Sequence, residues 1–92
     1  MLIFLLFFQL QNGKFNEYYD SGIQAYEEKN YPEAIRLLKK AVELRADSSP
    51  NAKISGVRFI EYYPYHYLAT AHYLIRDMEN AERYMQLAFR NE

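Results

Sequence analysis

Two histidines, an aspartate and a pair of serines are the side chains with the most chemical reach in this 92-residue chain. His66 and His72 stand six apart. A histidine pair that shares a metal from one helix face is spaced four apart, so these two do not present their nitrogens to one ion. Asp77 has the type and position of a helix N-cap, a carboxylate that accepts from free backbone N–H groups. Ser48 and Ser49 lie in a polar stretch with no base at a recognisable spacing, and they read as turn residues. Gly13, Gly22 and Gly56 are isolated, so no glycine-rich loop can cradle a phosphate. Cysteine is absent, which removes thiolate metal sites, disulfides and thiol nucleophiles. The chain therefore reads as a non-enzyme with no metal and no cofactor.

Length and charge narrow the field further. Ninety-two residues and 11.0 kDa allow one small domain. Eleven basic and twelve acidic side chains nearly cancel, so there is no electrostatic footprint for nucleic acid and no polybasic patch for a lipid surface. Three glycines and three prolines are few for a turn-rich β-sandwich, whereas ten tyrosines and six phenylalanines are many for so short a chain.

Residues 1–8 are all apolar, and residues 1–13 carry no charged side chain. That run is too short to span a bilayer, which takes ~20 residues, and it has the length of a signal-peptide core. No basic residue precedes it and no small-residue cleavage site follows. Four readings stay open for residues 1–13: an export signal, an apolar helix packed on the domain or a partner, a truncated membrane anchor, or a gene-model artefact. The first and third place the protein in the periplasm, outside the cell or tethered to a membrane, and the second leaves it cytoplasmic. Contact with a membrane is expected only through this segment. The working domain is residues 14–92.

That domain repeats itself at an offset of 47: Tyr18 and Tyr65, Gly22 and Ala69, Tyr26 and Tyr73, Ala34 and Ala81, Leu38 and Met85, Ala41 and Ala88. Ala34, Leu38 and Ala41 share one helix face, and Ala81, Met85 and Ala88 repeat it. Asn30 and Asp77 are N-cap types, and Pro32 and Pro64 suit a first helical turn. The pattern predicts helices over residues 16–29, 31–45, 64–76 and 78–90. The short connections make two antiparallel hairpins, with Gly22 facing Ala34 or Ala41 and Ala69 facing Ala81 or Ala88. Residues 46–53 are loop-like by composition. Residues 54–63 are too apolar to float free, so they should lie on the domain as an extended arm or an early helical turn.

Taken together these residues resemble the tetratricopeptide repeat family, in two copies covering residues 17–92. Tyr18, Gly22, Tyr31, Ala34, Leu38 and Ala41 carry the first copy; Tyr65, Leu68, Ala69, Ala81, Met85 and Ala88 carry the second. Residues 57–65 look like linkers in some bacterial members. The departures are Ser21, Ala25, His72 and Met78, together with Ala46 where a proline is usual. The resemblance implies an all-α array of two hairpins, with no sheet and a long inter-repeat loop. It also implies a concave wall from the first helix of each pair: Tyr19, Ile23 and Tyr26, then Tyr63, His66, Thr70 and Tyr73. A protein or peptide partner is expected on that wall, extended or helical. The alternative is a structural fragment or a self-associating homo-oligomer with no ligand site of its own.

Overall fold

The computed structural model describes residues 15–92; the readings made for residues 1–13 fall outside them. Six elements follow in order: α1 (Phe15–Glu27), α2 (Tyr31–Leu44), β1 (Ser49–Ser55), β2 (Arg58–Tyr62), α3 (Pro64–Leu74) and α4 (Met78–Asn91). The four helices form two hairpins, α1–α2 and α3–α4, and α3 lies against α2. The expectation of an all-α chain with no sheet is corrected by β1 and β2, an antiparallel pair inserted between the two hairpins. Residues 54–63 are thus one whole strand and part of another, rather than a helical turn.

The strand pair has a local cause. Ser55 pairs with Arg58 across the two-residue loop Gly56-Val57. Gly56 has φ +44°, the left-handed region that the tight hairpin turns require and that glycine enters without a Cβ penalty. Irregularities in register between Ser49 and Ala52, and between Lys53 and Ser55, bend β1. Ala52 and Tyr62 turn into the core, while Lys53, Phe59 and Glu61 face out. A lone two-stranded ribbon is marginal in water, so the anchor at Tyr62 matters. Tyr62 is fully buried, its ring meets Phe15 at 5.0 Å and Tyr19 at 4.9 Å, and its hydroxyl donates to the Arg45 carbonyl at 2.7 Å.

The small residues do what the pattern asks, with one change of partner. Ala34, Leu38 and Ala41 are fully buried along α2. Gly22 faces Leu38 rather than Ala34 or Ala41: a Cβ there would stand 2.8 Å from Leu38 Cγ. The glycine lets α1 close onto a leucine that has no solvent to retreat into.

The offset of 47 is also written into the backbone. At the end of α1, Asn30 N–H donates to Ala25 O and Lys29 N–H to Tyr26 O, with Lys29 at φ +64°. At the end of α3, Asp77 N–H donates to His72 O and Arg76 N–H to Tyr73 O, with Arg76 at φ +66°. Both are Schellman closures, with a left-handed residue just past the helix and the next residue opening the following helix. The caps themselves differ. Asp77 accepts from the Asn80 backbone N–H, whereas Asn30 makes no such side-chain bond, so only one of the two expected caps is formed.

Lys29 and Arg76 are exposed and occupy a conformation where a Cβ is strained. Lys29→Gly and Arg76→Gly should each stabilise the fold, by up to about 1 kcal/mol once the greater freedom of glycine in the unfolded chain is subtracted. Urea midpoints of the two variants and the parent check this, and the two gains should be alike and additive.

Candidate functional site

The expected wall is partly a packed seam. Tyr19 is buried: its ring crosses Tyr62 and Tyr67, and its hydroxyl accepts from the Tyr63 N–H at 3.1 Å. Burial disfavours its phenolate and pushes its pKa up to about 12. Tyr26 is half-buried, edge-on to Tyr31 at 5.6 Å and to Tyr67 at 5.4 Å, with the Thr70 hydroxyl beside its own. Ile23 is half-buried against the core. So Tyr19 meets Tyr63 and Tyr26 meets Thr70, and the Tyr67 ring lies against those of Tyr19 and Tyr26. The register offered no signal for Tyr67, because its first-copy counterpart is Asp20.

What remains open to solvent comes from α3. His66 is exposed, Thr70 is half-buried with its hydroxyl donating to His66 O, and Tyr73 is 57% exposed. His66, Thr70 and Tyr73 are spaced four and three apart, one face of the helix. The face ends on the α1 seam at one side and at Tyr63 on the other.

Beyond Tyr63 and His66 lies a groove of about 730 Å³, completed by Met85, Ala88, Phe89 and Glu92 of the α4 end. Phe89 is 84% exposed and Met85 is half-exposed. Glu92 is occupied as a long-range cap. Its carboxylate accepts from the Tyr65 and His66 N–H groups, both at 2.9 Å, and from the Ser48 hydroxyl at 2.6 Å. Tyr63, the N-cap of α3, makes no side-chain cap bond, so α4 supplies from its far end what α3 lacks locally. Tyr63 and His66 stood in the expected wall, whereas Met85, Ala88, Phe89 and Glu92 were missed as a site. The offset held a clue, since Met85 answers to the fully buried Leu38.

His72 is the buried polar group of the second hairpin. Its Nδ1 lies 3.1 Å from Asp77 Oδ2 and its ring stacks on Tyr84 at 5.4 Å, while Nε2 meets no partner among the described residues. With Nδ1–H donating to Asp77, the ring is satisfied on one side as a neutral imidazole. Burial lowers its pKa, and the attraction of Asp77 does not overcome that; Lys39 and Arg83 push the same way as burial. Among the described residues no three His, Cys, Asp or Glu gather as metal ligands, and no helix is long and apolar enough to cross a membrane.

Two outcomes follow from this chemistry. Glu92→Ala strands two helix N-terminal donors and should cost about 1–2 kcal/mol, with faster amide exchange at Tyr65 and His66 as the local signature. Because the folded state holds His72 neutral, the unfolded chain binds the extra proton. Stability is then full above about pH 6.5 and falls as pH drops toward the lowered folded-state value. In His72→Phe, which keeps a ring on Tyr84, that slope below about pH 6.5 should flatten in thermal melts.

No family model matches the chain, and neither a curated protein nor a solved structure does.

Proposed function

We propose that the protein is a non-enzymatic protein-interaction module of the tetratricopeptide type, which takes an extended peptide or a helix on the aromatic face of α3. One observation carries the reading: Tyr73, a large ring with a hydroxyl, stands more than half exposed in line with exposed His66 on a helix face whose neighbours are already packed. Tyrosine gives contact area at low rotamer cost and a polar tip to orient a backbone, which is why it concentrates in binding faces. The paired Schellman closures at Lys29 and Arg76 support the repeat reading, because repeats fix a rigid face. Tyr19 leaves the proposed contact set, since its ring and hydroxyl are spent on Tyr62, Tyr67 and Tyr63. The contact set is Tyr73, His66 and Thr70, rimmed by Tyr63, Ile23 and Tyr26.

The test uses the whole chain as bait in extract of its native host, with each captured protein then measured against purified variants. Tyr73→Ala should weaken binding roughly tenfold, ~1–2 kcal/mol, while the far-ultraviolet circular dichroism stays at the parent's level. Tyr19→Ala should instead lower the melting temperature. Equal binding by the parent and Tyr73→Ala would remove the α3 face from the reading.

A further inference from the structure

We propose that the outer face of α4 pairs with the same face of a second copy of the chain, the two helices running antiparallel about a two-fold axis near Met85. The face is a stripe of Met78, Glu82, Met85 and Phe89, spaced four, three and four apart and all exposed. At the offset of 47 these answer to Tyr31, Ile35, Leu38 and Val42 of α2. In the first hairpin that face is covered: α3 lies against α2, Ile35 and Leu38 are buried, and Tyr31 and Val42 pack on the core. Among the described residues nothing covers the stripe on α4 in the same way. It is a surface of the kind that the fold buries.

The charges choose the occupant and its direction. Glu82 stands where Ile35 is buried, so an apolar helix laid on the stripe would trap an unpaired carboxylate. The occupant must bring a cation to Glu82. The helix itself carries one at a suitable place: Glu79 and Glu82 lie in its N-terminal half and Arg90 near its C-terminus. None of the three is in an ion pair among the described residues. Glu82 stands beyond the first turn, so the helix dipole does not account for it. When two α4 helices cross antiparallel at Met85, Arg90 of each falls between Glu79 and Glu82 of the other, and the two-fold axis makes the match twice. A parallel pairing would set glutamate on glutamate and arginine on arginine. Head-to-tail stacking fails for another reason. A neighbouring α1 would present exposed, polar Asp20, Ser21 and Gln24 where α3 presents Tyr67 and the fully buried Leu68 and Ala71.

The same crossing fills the groove. Met78 and Glu92 stand equally far from Met85 on either side, about 10 Å along the axis. Met78 of one copy therefore comes over the groove of the other, beside Phe89 and Tyr63. An unbranched thioether suits an irregular apolar hollow, and its sulfur is attracted to aromatic rings. The groove asks its occupant for no counter-charge at Glu92, which is already held by the α3 N-terminus and Ser48.

The contact involves no other protein, so its test is separate from that of the α3 face. In sedimentation equilibrium the mass of the full chain should rise with concentration from 11.0 kDa toward twice that. Glu82→Arg and Arg90→Glu should each weaken self-association roughly tenfold, because each sets like charges together at both ends of the contact. Mixed in equal parts, the two variants should pair with each other about as tightly as the parent pairs with itself, since every charge then meets its opposite. Phe89→Ser should weaken association in the same way, and no charge variant should rescue it. All three positions are exposed, and circular dichroism at the parent's level separates lost pairing from lost folding. The two-fold contact is overturned if the chain stays at 11.0 kDa at every concentration reached, or if the mixed variants associate no better than either alone. It is equally overturned by a monomer whose Met78 and Met85 methyls are shielded from a soluble paramagnetic agent, the mark of an occupant within the chain.

Discussion

Everything in this small fold leans on the burial of one phenol. Tyr62 ends β2, sits fully inside, and touches Phe15 and Tyr19 of α1 while its hydroxyl closes the C-terminus of α2. A buried hydroxyl without an acceptor is costly, so the ring cannot slide or flip without losing the Arg45 carbonyl. That fixes where the strand pair leaves the sequence of helices and where α3 begins two residues later. Tyr65 repeats the device one step on, donating to the Ala46 carbonyl at 2.7 Å. Two phenols thus hold consecutive carbonyls past the end of α2, in a stretch whose backbone has left the helix.

The helices were legible because their punctuation is local. Pro32 and Pro64 stand in first turns, Asn30 and Asp77 precede helices, and the small residues at Ala34, Ala41 and Ala81 mark the inner faces. The strand pair was not legible, for two reasons. Residues 49–53 have the polar composition of a loop, and bulging interrupts the alternation that identifies a strand. The apolar run of β2 continues into α3 with only Tyr63 between, so its period cannot be separated from the helix by inspection. The turn at Gly56 was the remaining sign, and an isolated glycine is weak evidence by itself.

The candidate face was legible only in part. Register places equivalent residues on equivalent faces, but it does not say what the next layer brings. Tyr19 and His66 occupy matching places, yet Tyr62 and Tyr67 cover the first, while the second opens on a groove. Position in a repeat sets the direction of a side chain; position in the stack sets its exposure. The same distinction separates Leu38, fully buried, from Met85, half-exposed.

The ribbon formed by β1 and β2 has a consequence for the length of the chain. It leaves α2 and returns to α3 with both ends held, at Arg45 and at Tyr62, while its tip projects so far that Val57 is 93% exposed. Residues added or removed at that tip should leave the rotation and spacing of the second hairpin on the first unchanged, because the tip makes no part of that contact. The interval between copies is thereby freed from the geometry of stacking. The offset of 47 is absorbed sideways, as a spur between the two hairpins.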